Sequence, residues 1–541
     1  MHFGWDLLVI IVYFTVILGI GLSQRSKSGS VEGFALGDRQ TPWWAVLASI
    51  MAAEISAATF LGAPESGYDK RNWSYAQFAI GTILARIIVS FLFIPIFYKQ
   101  GVISLYEYLE TRFGKVTRKL ASVTFLITRV LAMGTRLYVS AIILVLGFAL
   151  WTGHEADANT KFWLFAGAVV VVTLLTTVYT SIGGIRAVIW TDFIQVTVLV
   201  ASLAFTIPYL LGKIPGGWDT VQGVIQKPVF FDFAKPPTPG AWAWIRNVLT
   251  EEYTLWAALI GSTFVTMSTH GIDQDTVQRM LTAKNRRQSA FATMLSGLVD
   301  LPVACAFIFI GILLYAFYQA HPTPNLPQEH REAFPFFILH EMPAGMRGLV
   351  TAGILSTAMG SLSTALNALG TSFARDFVLP AMGDIPESRR VNVLRWSTVL
   401  FAFFIIGVGI VTAWYMAKNP EAAIIPLVLG ILGFTFGSLL GVFLVAVLTK
   451  TRGNDFGNVI AMFAGFIAVL FLSNAAIQKW AGFTVVDEKG EPAPALVLSF
   501  PWRITLGTFV TIAISLCFKT PAERILHNLP SAFDARQRNQ S

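Results

Sequence analysis

Stretches of about twenty apolar residues recur along the whole chain, each long enough as a helix to cross the roughly 30 Å hydrocarbon core of a bilayer. In hydrocarbon every backbone N–H and C=O must find its partner inside the protein, which a helix arranges within itself. With 55% hydrophobic and 13% charged residues over 541 positions, and a mean hydropathy of +0.63, the chain has too little polar surface to cover a soluble protein. The expected fold is therefore an all-α polytopic membrane protein of about thirteen transmembrane helices.

The loops set the expected orientation. The span at 5–22 has Asp6 at its start and Arg25 and Lys27 behind it, the reverse of a cleavable leader, so it is expected to remain with its N-terminus outside. On that basis the inner segments carry a clear majority of the 39 Lys and Arg residues, including Arg112, Arg118, Arg279, Arg375, Arg389 and Arg390. Positive loops face the cytoplasm, which predicts N-out and C-in in a cell membrane. The net charge of +8 is a topology signal, and no nucleic-acid partner is expected.

Enzyme constellations are missing. Cys305 and Cys517 lie in separate apolar spans, and no HExxH, P-loop or GxSxG occurs, so neither a catalytic residue set nor an organic cofactor is expected. The tail beyond the last span is too short for a signalling domain.

The segment 43–67, WWAVLASIMAAEISAATFLGAPESG, sets a glutamate, hydroxyls and a Gly-Ala-Pro break inside a membrane-length apolar run. Such residues are costly in hydrocarbon and mark cavities or ion paths.

Three blocks then carry a resemblance: TSIGGIRAVIWTDFIQ at 180–195, HGIDQDTVQRMLTAKN at 270–285 and TAGILSTAMGSLSTALNA at 351–368. In this order and spacing they resemble the sodium:solute symporter family, which includes sodium/glucose and sialic acid transporters. The resemblance implies a leucine-transporter-type core of two inverted five-helix repeats with a site at the midplane. It assigns 1–42 to an extra helix and linker, 43–212 to repeat one, 213–250 to an extracellular loop, 251–449 to repeat two, and 450–541 to two further helices and a cytoplasmic tail. Helices 43–64 and 252–270, the first and sixth of the core, are both expected to unwind at mid-membrane.

The resemblance also implies a sodium site. Carbonyls of Ala52, Ile55 and Gly353 and hydroxyls of Ser356 and Thr357 match the family positions, and oxygen donors without formal charge suit a small hard cation. The plainer reading of Ser356 and Thr357 is that both hydroxyls bond back to carbonyls one turn earlier. Members with a second sodium site have hydroxyls where this chain has Met359 and Gly360; Ser361 is roughly 100° further around the helix. One sodium per cycle is expected, with Asp192 a supporting residue near the ion.

Substrate candidates implied on the core helices are Glu54, Ser56, Thr59, Gln77, Arg136, Thr266, Thr269, Asp300 and Thr435. Arg136 resembles the arginine that holds the sugar-acid carboxylate in sialic acid transporters, a job suited to a guanidinium fork. Glu54 could instead pair with Arg136 or Arg129 and leave a neutral cavity for a sugar, with Arg86 a further counter-ion. The expected activity is sodium-coupled import of a sugar, sugar acid or other carboxylate by a monomer embedded in lipid. Proton coupling through Glu54, or a non-transporting sensor, are the alternatives.

Overall fold

The computed structural model describes residues 4–24, 29–55, 57–152, 157–225, 230–234, 240–324, 326–419, 424–486 and 492–526. The helices that build the membrane body are α1 (Gly4–Ser23), α2 (Trp43–Glu54), α3 (Ala57–Lys70), α4 (Phe78–Leu92), α5 (Lys115–Thr152), α6 (Ala158–Lys213), α7 (Ser262–Gly271), α8 (Gln274–Met280), α9 (Arg286–Ala320), α10 (Met346–Phe373), α11 (Glu387–Lys418), α12 (Ile424–Leu448), α13 (Asp455–Ser473) and α14 (Phe500–Leu516). The all-α expectation holds apart from a short antiparallel ribbon of Thr484–Val486 with Pro492–Pro494.

Among the described residues, nine helices are long and apolar enough to cross a membrane, ten when the bent pair around residue 55 is one span. Two physical features separate this from about thirteen. The tract α6 is broken at Gly184, whose φ of 59° and ψ of −151° no helix contains. A Cβ on Gly183 would lie 2.4 Å from that of Ala187, so the chain turns sharply and α6 is two helices. The apolar helices α7 and α14 are shorter than a full span.

The two expected breaks turn out differently. After α2, Ile55 leaves the helical region at ψ 86°, and the axes of the two half-helices differ by 64°. The sixth core helix does not unwind at mid-membrane. It begins as a π-helical turn over Ala257–Gly261, runs on as α7, and breaks only after Gly271. There Asp273 accepts a hydrogen bond from the Asp275 N–H at 3.1 Å and so starts a new helix, α8. An N-cap at that point ends the span at its edge.

Helix α10 is the axis of the body. Its most apolar stretch, extended through Met382, is 94% buried, against 22% for α1. The run of Gly, Ala, Ser and Thr in it lets neighbours approach closely, as small residues do between membrane helices. The same device acts in α12, where Gly437 meets the backbone of Ile504 and Gly507, and Gly441 meets Thr508 and Thr511.

Asp6 fixes the start of α10. Its carboxylate accepts the N–H groups of Gly345 and Gly348 at 2.8 and 2.9 Å and forms a buried pair with Arg347 at 2.5 Å. An anion at a helix N-terminus offsets the end's partial positive charge. Breaking a buried pair from one side costs about 3–5 kcal/mol. Asp6→Ala is therefore expected to lower the thermal unfolding midpoint in detergent well below that of the parent; an unchanged midpoint would show that this capping does not anchor α10.

Candidate functional site

The break after Glu54 faces α10. The Ile55 N–H still donates to the Met51 carbonyl at 3.0 Å, and beyond it the helix ladder ends. Gly360 brings α10 against this end: a Cβ there would sit 3.2 Å from the Ala52 carbonyl oxygen. Ser361 donates to the Ala53 carbonyl at 3.4 Å and to that of Thr357 at 3.0 Å. The contact between the two helices is made by Gly360 and Ser361, one turn beyond Ser356 and Thr357, while Gly353 packs on Ser202 of α6; Ala52, Ile55, Gly353, Ser356 and Thr357 are all buried.

The Ser356 hydroxyl donates to the Ala352 carbonyl and that of Thr357 to the Ile354 carbonyl, both at 2.7 Å. This is the bonding that the plainer reading expects. It does not consume the oxygens, since a hydroxyl that donates its one proton keeps its lone pairs. The donor set carries no formal charge, and among the described residues no group of three or more His, Cys, Asp or Glu is placed to hold a metal. That chemistry fits a weakly held monovalent cation rather than a tightly chelated metal.

At the places of a second pair of hydroxyls, Met359 receives the Tyr13 hydroxyl on its sulfur at 3.9 Å, and Gly360 packs on the Gln195 carboxamide. Asp192, on the second half of α6, is fully buried and accepts the Ser49 hydroxyl at 2.5 Å. Arg279 of α8 lies 3.9 Å from it and 3.4 Å from Asp275. Arg129 of α5 pairs with Asp273 and, at 3.4 Å, with Asp275. A continuous chain of buried charges, with the Ser49 hydroxyl at one end, therefore links α2, α6, α8 and α5, and Asp273, Asp275 and Arg279 all come from the 270–285 block.

A second polar cluster lies at the same end of the molecule. Asp376 accepts from Ser104, Ser122 and Ser372 at 2.7–2.9 Å and pairs with Arg118 at 2.8 Å. Gln278 of α8 donates to the Ala35 carbonyl and to Asn367, both at 2.7 Å. Side chains thus tie the short inner elements to α10.

The partners of Glu54 differ from expectation. It pairs with Arg86 of α4, not with Arg129 or Arg136, and lies 3.2 Å from His270 Nε2. The reason is competition: Arg129 is held by Asp273 and Asp275, while Arg86 has no exposed side-chain surface and meets Glu54 at the end of α2. On the other side of the ring, His270 Nδ1 lies 3.1 Å from the Thr269 hydroxyl. Asp300 stands on α9 one turn from Gly297, where a Cβ would lie 3.1 Å from Arg86 Nη1.

The remaining candidates separate. Thr59 is partly exposed on α3, Thr266 is buried on α7, and Arg136 is partly buried on α5. Thr435 meets Thr128 at 2.8 Å, joining α12 to α5. Gln77 is spent on the loop outside α4: its amide donates to the Tyr253 carbonyl at 2.9 Å and its oxygen accepts from the Asp232 N–H at 3.3 Å. Ser56 lies outside the described residues. His270 and Ser49 were missed from sequence, although an imidazole inside a membrane helix is itself a signal of function.

Glu54→Gln is expected to leave the Arg86 charge buried and unpaired, costing about 3–5 kcal/mol of stability. Glu54→Gln combined with Arg86→Gln should recover much of the melting temperature. Additive losses in that double-mutant cycle would mean that the two side chains do not act as a pair.

Comparison with known proteins shows the family and the fold. The model of the sodium:solute symporter family matches residues 34–465. The chain is 29% identical over 520 residues to sodium-coupled monocarboxylate transporter 1 of Xenopus laevis, covering 94% of this chain and 76% of that one. It is 27% identical over 533 residues to the sodium-dependent multivitamin transporter of Oryctolagus cuniculus, covering 95% and 77%. In structure it is similar to a Na+-coupled sialic acid symporter in a substrate-bound outward-open state, with a TM-score of 0.75, 23% identity and coverage of 95% and 97%. A nucleobase-cation-symport-1 family transporter in a closed conformation follows, with a TM-score of 0.52, 15% identity and coverage of 92% and 97%.

Proposed function

The chain is a multi-pass membrane protein that belongs to the sodium:solute symporter family, a family of transporters and not of enzymes, and from that premise we propose that it imports a small carboxylate-bearing solute together with one sodium ion. The observation that supports the reading is the end of the α2 helix at Ile55, with Gly360 and Ser361 of α10 packed on the Ala52 and Ala53 carbonyls one turn beyond Ser356 and Thr357. Sodium is held by the carbonyls of Ala52, Ile55 and Gly353 and by the two hydroxyls, and acts as the sole coupling ion; no other cofactor takes part. Binding there joins the broken helix to α10 and stabilises the shape that completes the substrate site. Coupling is then the difference in sodium affinity between conformations.

The solute contacts the Glu54–Arg86–His270 cluster, Asp300, Thr59 and Arg136, with Thr266, Thr269 and Thr435 as neighbours. Two supports favour an acid. Guanidinium groups sit inside the membrane body, and the names of similar proteins include a monocarboxylate and sialic acid. A sugar acid satisfies both. Asp192 positions Ser49 and Arg279 beneath the ion without binding a second one, because Met359 and Gly360 offer no hydroxyls there. The N-terminus is outside and the C-terminus cytoplasmic, in the cell membrane, and the monomer is the working unit.

A lost charge-binding ligand costs about 1.5–3 kcal/mol, so Ser356→Ala and Thr357→Ala should each raise the sodium concentration for half-maximal uptake in proteoliposomes about 10- to 100-fold. Uptake of sugar acids and monocarboxylates should rise with sodium along a Hill coefficient near one. Arg136→Ala should abolish uptake of acidic solutes while sparing any neutral one. Uptake driven by a proton gradient and indifferent to sodium would overturn the coupling reading and return attention to Glu54.

A further inference from the structure

The arginine-rich N-terminal end of α11 carries two grooves that share a wall. One, of about 480 Å³, runs between Ser181, Arg395 and Val399; the other, of about 500 Å³, between Met382, Arg389 and Leu400. Asn392 and Trp396 line both, so the indole stands as a ridge between them, 72% exposed. From Trp396 onward the exposed side chains Leu400, Phe403, Val411 and Trp414 continue one face of the helix. Their spacing and their apolar character make that face the one in contact with acyl chains.

The mouth of the grooves is basic. Arg390 is spent on Asp384 at 2.7 Å and on Glu387 at 3.9 Å, and Glu387 also accepts the Val31 N–H at 2.7 Å. The local carboxylates are thereby used up. Among the described residues neither Arg389 nor Arg395 forms an ion pair, and Arg395 Nε is buried with no hydrogen-bond partner. Two guanidinium groups without a carboxylate partner thus flank Asn392, one at each groove, with Arg395 donating to the Asn392 carboxamide oxygen at 3.5 Å.

We propose that this end of α11 binds an anionic diacyl phospholipid of the cytoplasmic leaflet, its headgroup between Arg389 and Arg395 and one acyl chain on each side of Trp396. The two grooves explain the two chains, and the two arginines without a carboxylate partner explain the charge. Basic pockets on the cytoplasmic side of membrane helices select anionic headgroups in this way, each cation contributing separately. The face lies on α11 and the turn of α6, away from the Glu54 cluster, so the inference stands whether or not the substrate reading does.

The test is titration of fluorescent phosphatidylglycerol into the full-length protein in neutral detergent, with unlabelled phosphatidylglycerol, phosphatidylcholine or inorganic phosphate as competitors, and native mass spectrometry of the same samples. Phosphatidylglycerol should be preferred over phosphatidylcholine, and Arg389→Gln with Arg395→Gln should weaken it about thirty-fold. Arg389→Lys with Arg395→Lys should keep the preference, and Trp396→Ala should weaken both lipids. Equal competition by phosphatidylcholine, effective competition by inorganic phosphate, or a double Gln variant that folds and binds unchanged would each overturn the proposal. So would a lipid-free dimer that Trp396→Ala dissociates, since the face would then belong to a second copy.

Discussion

A backbone carbonyl released from its helix inside a membrane must find another partner, and the body of this protein is arranged around one such release. At Ile55 the chain leaves the helical region, and α10 stands opposite with hydroxyls and glycine instead of bulk. Were α10 a leucine-rich rod, its side chains would hold the broken end away and leave its carbonyls unpaired. Small residues allow contact, and contact turns a costly defect into a cluster of oxygens fit for a cation.

Charge follows the same economy. Burying an unpaired ion is expensive, and the interior ions form chains in which each helps to balance the next. Glu54 balances Arg86 beside His270, and Asp192, Asp273 and Asp275 share Arg129 and Arg279. The first group sits at the break, the second beneath it. A movement that alters contacts in one shifts α2, which carries both Ser49 and Glu54, and so reaches the other. In the proposed mechanism this is the route by which an ion at the break would reach the gate elements around α8.

Much of this was legible in the residues. Apolar spans and a break within the 43–67 run were legible, but the break falls at Ile55, while Gly62-Ala63-Pro64, which reads as the breaker, lies inside the continuous helix α3. Partners were less legible, because a long side chain chooses among several helices and the choice depends on packing. Arg129 and Arg136 share one face of α5 and looked like partners for Glu54, yet Asp273 and Asp275 hold Arg129, and Arg86 reaches Glu54 from α4. Gln77 reads as a cavity amide until Tyr253 and Asp232 are seen to occupy it. The intact α7 was hidden for a different reason: a π turn absorbs a residue without any sequence mark as clear as proline.

The most direct test of the central claim is equilibrium binding of radiolabelled sodium to the purified protein, counted per chain and repeated in Thr357→Ala. The account predicts one saturable ion per chain, displaced by excess unlabelled sodium and lost or strongly weakened in the variant. Two ions per chain, or binding that Thr357→Ala leaves intact, would contradict a single site at the meeting of α2 and α10.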